Sequence, residues 1–200
     1  MTNLAHQRYS IALVTAPTAE PVTRQEVKDH LRIDSDLEDT HLDLLIKAAR
    51  QHCENAIHRA FVTQTWRLKL DHVPCGTTIT FPNPPLLTVS SFAYVDTSGS
   101  STTWSSTNYT VAADADPGRL MLAYNASWPA VRTQPEAITI TYTAGYGAAS
   151  AVPQTLKHAV KMLVAHWYEN REPVLTGSIV ADMPMSVDAL LAGESWGSYS

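Results

Sequence analysis

Charge is scarce in this chain. Only 16% of its 200 residues are Asp, Glu, Lys or Arg, and no run of Lys and Arg occurs. That excludes a nucleic-acid grip built on phosphate neutralisation. Cysteine is limited to Cys53 and Cys75, which do not make a disulfide framework. No phosphate loop, G-x-S-x-G elbow or dinucleotide fingerprint occurs. No stretch reaches the roughly 18 apolar residues of a membrane-crossing helix. The N-terminal MTNLAHQRYSIALVTAP lacks a basic region followed by a sustained apolar core. The sequence therefore predicts a protein made in the cytoplasm, soluble, and without a membrane partner.

What is present points to assembly. A 44% hydrophobic fraction supplies a core for one domain, or for one domain carrying a large insertion. Ser, Thr, Asn and Gln make up the shortfall in charge. Five Trp and eight Tyr are a large aromatic endowment, and aromatics serve interfaces as well as cores. The formal charge is −5, unevenly spread: residues 20–60 hold nine acids and six bases, residues 61–150 five acids and four bases. An acidic surface suits DNA only where the duplex must slide past without sticking.

Periodicity divides the chain into five parts: an extended arm over 1–22, helices over 23–61, a β-rich insertion over 62–150, a helix over 151–171 and a tail over 172–200. Thr23 and Glu26 match the capping box of a short helix whose apolar face is Val27 and Leu31. A second helix is predicted from Leu37 or Glu38. Its stripe is Leu42, Leu45, Ile46, Ala49, Cys53, Ala56 and Ile57, at spacings of three and four. From Thr65 the period becomes two: Trp66, Leu68 and Leu70 alternate with Arg67, Lys69 and Asp71. Short strands follow at 77–81, 89–95, 118–122 and 138–143. A hairpin turn is read at Asp96–Gly99, with Trp104 and Tyr109–Val111 as its return side. Pro153 then opens a helix striped by Leu156, Val160, Leu163, Val164 and Trp167. A last short helix is marked by Val187, Leu190 and Leu191. The fold class is α+β: an antiparallel long-helix core interrupted by a small antiparallel sheet or barrel-like insertion.

No constellation reads as chemistry. Counting an EF-hand loop from Asp34 puts Asp39 where Gly is required and Leu45 where the bidentate Glu belongs. Among the histidines, His41 and His52 could share a helix face but lack further ligands at zinc spacing. His166–Glu169 lacks the HExxH order, and Asp114 and Asp116 border a turn rather than a cleft. The chain reads as neither enzyme nor cofactor or metal protein. Trp66 and Trp167 sit on patterned elements and read as core, whereas Trp104 and Trp128 lie in irregular sequence and are candidates for contact with a neighbouring subunit or partner.

Five stretches carry a family likeness: PVTRQEVKDHLRID (21–34), AARQHCENAIHRAFVTQTW (48–66), PNPPLLTVSSFAYVD (82–96), ITITYTAGYG (138–147) and VPQTLKHAVKMLVAHWYENRE (152–172). In this order they resemble the head–tail connector (adaptor) proteins of long-tailed bacteriophages and phage-derived particles, in the branch where β-rich sequence interrupts the helical fold. The resemblance spans roughly residues 12–192. It implies a homo-oligomeric ring, typically of twelve subunits, in the virion neck of particles made in a bacterial host. The ring would sit below the portal, extend the channel for non-specific passage of double-stranded DNA, and dock the head-completion or tail-terminator protein. The tail would reach toward the portal or a neighbouring subunit, with Val174, Leu175, Ile179, Val187, Leu190 and Leu191 as candidate anchors. Glu38, Asp39 and Asp43 are the candidate lumen residues. A small phage-encoded enzyme and a β-rich receptor- or carbohydrate-binding module are the alternatives.

Overall fold

The computed structural model describes residues 9–170 and 185–195. They form two compact units: a sheet unit drawn from residues 9–18 and Thr63–Tyr146, and a helical unit drawn from Ala19–Val62 and the described residues from Gly147 on, to 195.

The helical unit contains α1 (Arg24–Leu31), α2 (Asp39–Ile57), α3 (Gln154–Glu169) and α4 (Met185–Ala192). The start of α1 is fixed by a reciprocal cap. The Glu26 backbone N–H donates to Thr23 Oγ1 at 3.2 Å, and the Thr23 N–H donates to Glu26 Oε2 at 2.6 Å. That satisfies two of the N–H groups a helix start leaves free. Both α1 and α2 end on left-handed residues, Arg32 and His58. The stripe of α2 buries Leu42, Ile46, Ala49, Cys53 and Ile57; α3 buries Leu156, Ala159, Val160, Leu163 and Val164. These two helices pack on each other. Trp167 sets its ring edge-on to His52, with centroids 5.8 Å apart, while the neighbouring Tyr168 reaches Glu38.

The sheet unit holds eight described strands in two antiparallel sheets. The larger has the order β1-β2-β8-β4-β5, from Tyr9–Thr15, Gln64–Leu70, Ile138–Ala144, Leu86–Val95 and Ser101–Thr103; the smaller, β3-β7-β6, comes from Thr78–Thr80, Arg119–Leu122 and Tyr109–Ala112. Period-two alternation sets the register. Leu68 lies opposite Ile140, which lies opposite Phe92, and all three are fully buried. Phe81 leads out of β3 and meets Tyr142 at 4.8 Å, and the Tyr142 hydroxyl donates to the Pro82 carbonyl at 2.9 Å. Gly118 allows the closest approach: a Cβ there would stand 2.2 Å from Leu86 Cβ.

The segment read as an extended arm contributes β1, which pairs with β2 from Tyr9↔Leu70 to Thr15↔Thr65. One sequence expectation changes here. The return side of the Asp96–Gly99 turn is β5, paired as Val95↔Ser101, whereas Tyr109–Ala112 crosses to the smaller sheet. The turn itself is held by Asp96 Oδ1, which accepts from the backbone N–H groups of Ser98 and Ser100 at 2.9 and 3.0 Å.

Candidate assembly surfaces

The structure brings Glu38, Asp39 and Asp43 together at the start of α2, but not as a bare acidic face. Arg24, on α1, forks onto Asp39 at 2.6 Å and onto both oxygens of Asp43. Lys28, one turn further along α1, bridges Asp36 and Asp39 at 2.5 Å each. Glu38 accepts the Tyr168 hydroxyl. The acids of α2 thus hold α1 and α3 in place. Hydrogen bonds from Lys28, then from Arg24, hold the Asp39 carboxyl below the ordinary carboxylate range, and the bonds to Asp36 and Asp39 raise the Lys28 ammonium. Asp39 and Asp43, read as candidate lumen residues, are thus paired with cations of α1. The missed signal was the four-residue spacing of Arg24 and Lys28, which puts two cations on one face of α1.

Sequence reading also missed Arg50. It lies within the buried side of α2, 2% exposed, where its guanidinium donates to Glu20 at 2.6 Å and to Glu54 at 2.5 Å. Burial alone would lower its pKa; Glu54 and Glu20 outweigh that and raise it. Glu54 also accepts the Phe61 backbone N–H at 2.8 Å. One carboxylate therefore anchors the segment that leaves α2.

Trp104 and Trp128 belong to an aromatic cluster in the sheet unit. Trp104 packs its ring, tilted, against Phe92 at 4.8 Å, Trp128 at 5.3 Å and Tyr109 at 5.4 Å. The Trp128 indole N–H donates to the Gly76 carbonyl at 2.7 Å. Trp104 is buried, so its expected contact role is corrected to a core role; Trp128 is half-buried. Of the tail anchors, Val187 and Leu191 are buried in the protomer on α4, which packs on α3 and α2, and Leu190 is half-buried. Val187 and Leu191 are thereby core residues rather than free anchors. Val174, Leu175 and Ile179 lie outside the described residues.

Among the described residues no group of three or more His, Cys, Asp or Glu side chains is placed to hold a metal. No helix there is long and apolar enough to cross a membrane. An open depression of about 440 Å³ beside α1 is lined by Gln25, Lys28, Asp29, Arg32, Ile33, Asp34 and Asp36, and is strongly polar.

The family model for head completion proteins matches residues 20–176. The chain belongs to the head completion protein family. Among solved structures it is similar to a chain in the neck of an empty gene transfer agent particle computed with sixfold symmetry. There the identity is 29% and the TM-score 0.78, over 93% of this chain and 95% of that one. A chain of the native gene transfer agent virion gives 28% identity and a TM-score of 0.74, over 92% and 94%. A chain in the neck of the native particle, computed with twelvefold symmetry, gives 30% and 0.71, over 93% and 94%. No curated protein sequence matches. The head completion name, which the sequence reading gave to a neighbour in the neck, thus covers this chain's own family. The expected α+β fold and the neck-protein resemblance both stand.

Proposed function

We propose that this chain forms a closed ring in the neck, below the portal, extends the channel for double-stranded DNA, and presents its far side to the next protein toward the tail. The coarser statement needs no proposal: it is a structural protein of the neck region of a phage or gene transfer agent particle, at the head–tail interface. What carries the ring reading is similarity over more than nine-tenths of both chains to neck chains whose particles were computed with sixfold and twelvefold symmetry. Twelve copies is the number we adopt. A cyclic ring is a common closed solution for identical subunits, and it leaves a central passage.

In this reading the protein acts by shape and contact and catalyses nothing. The compensated acids of α2 and the absence of a basic run let a duplex pass without a strong phosphate grip. The portal on one side and a tail-terminator or further head-completion protein on the other are the partners. The deciding experiment is symmetry-free averaging of the neck in purified particles, with this chain carrying a density tag. Twelve tags on one ring adjoining the portal is the expected result; tags elsewhere, or no ring, would overturn the proposal.

A further inference from the structure

The outward side of α2 carries an unusual strip. Leu37, in the turn leading into the helix, then Thr40, Leu44, Ala48, Gln51 and Asn55 recur at spacings of three or four, opposite the buried stripe. All six are exposed and none is charged. Leu37 is 94% exposed and Leu44 is 62% exposed. The charged residues of α2, Asp39, Asp43, Lys47, Arg50 and Glu54, lie to the sides of this strip or on the buried face. A surface helix ordinarily shows charge at the centre of its solvent face, and here that centre is neutral and partly apolar.

The charge balance of the chain says what can cover it. The described segments of the helical unit hold twelve acids and eight bases, whereas those of the sheet unit hold five acids and four bases. Two helical units brought face to face would each bring this excess of acid. A helical unit set against a sheet unit meets a nearly neutral partner, and the neutral strip removes local charge from the contact. A cyclic ring requires each copy to show one face to one neighbour and a different face to the other, and a strip seated on a sheet unit meets that requirement. We infer that the Leu37–Asn55 strip of one copy seats on the sheet unit of the next copy around the ring. The inference rests on the ring reading above and adds the surface and its partner.

The test uses intact particles in which variants replace the natural chain. A benzoylphenylalanine photocrosslinker installed at position 44 should join this chain to a second copy, and peptide mapping should place the join within residues 9–18 or 63–146. Leu37→Asp with Leu44→Asp should lower incorporation into particles by about tenfold or more. Because both side chains are exposed, the purified double variant should keep the circular dichroism and thermal midpoint of the parent. A join to a different protein, a join within helical-unit peptides, or no join would overturn the inference, as would normal incorporation of a folded double variant. A parent neck without a ring of this chain would overturn the ring reading itself, and that result is visible before any variant is made.

Discussion

The Tyr168 hydroxyl donates a hydrogen bond to the Glu38 carboxylate, joining the end of α3 to the N-cap of α2 across 130 positions of sequence. A carboxylate acceptor makes this stronger than a neutral bond, although its partly buried setting moderates it. Tyr168→Phe should cost about 1 kcal/mol in urea unfolding. Glu38→Gln should cost a similar amount, and the double variant less than the sum. Full additivity would show that the pair is not coupled.

Arg50 offers a larger effect. Replacing it with Met leaves Glu20 and Glu54 facing one another without their cation. Breaking a buried pair in this way costs about 3–5 kcal/mol. Adding Glu20→Gln and Glu54→Gln should recover part of the loss. Equilibrium unfolding that shows no recovery would mean that packing of the guanidinium stem, rather than charge, is what Arg50 contributes.

Acid should weaken both units in a defined direction. Glu26 is held below its ordinary 4.5 mainly by the Thr23 backbone N–H, and Glu136 by Lys69. Asp39 and Asp96 are held below 3.8 by Lys28 and Ser98 respectively. Each takes up its proton at higher pH when unfolded than when folded. The stability from these groups is therefore fully present above about pH 5 and is lost as pH falls through the lowered folded values. Asp39→Asn should flatten the acid limb of the stability–pH curve. An unchanged limb would remove Asp39 from the linkage.

The two thiols should differ sharply. Burial pushes the Cys53 thiol up to about 12, while Cys75 is exposed. At pH 8 a thiol-specific disulfide reagent should modify one cysteine per native chain and two after denaturation, since the thiolate is the reactive form. Rapid modification of both in the native state would contradict the packing of α2 on α3.

Duplex DNA should bind the isolated protein only weakly. At physiological salt the dissociation constant should lie above about 1 µM, with a shallow salt slope. Tight binding with a steep slope would reveal a basic surface and undo the free-passage reading.

The parts of the fold legible in the sequence were those with repeated signals. The stripe from Leu42 to Ile57 and the alternation from Trp66 to Leu70 each repeat a period several times, and both elements formed where the pattern lies. The Thr23–Glu26 cap was equally plain because both partners sit within one turn. Long-range pairing was not legible. That Arg50 would be sealed by Glu20, or that Trp104 would join Phe92, Tyr109 and Trp128, depends on tertiary contacts that no local period encodes. Trp104 read as a contact candidate because it lies in irregular sequence, yet the fold buries its indole. The strand β1 was read only as part of an extended arm, since its partner β2 lies some fifty residues on. Assembly surfaces leave the weakest trace of all, because a neutral strip such as Leu37–Asn55 looks like ordinary solvent-facing helix until its exposure is known.

The helical unit is split by the sheet unit, and this sets a timetable for synthesis. The apolar stripe of α2 is complete at Ile57, but α3, which covers it, begins only at Gln154. At about 5–20 residues per second, a ribosome needs roughly 5–20 s to make the intervening strands. For that interval Leu42, Ile46 and Cys53 have no α3 to bury them. The nascent chain thus passes through a period of stickiness at the very surface that later becomes its most protected seam, and its yield in the cell should depend on how well chaperones shield that seam until α3 arrives.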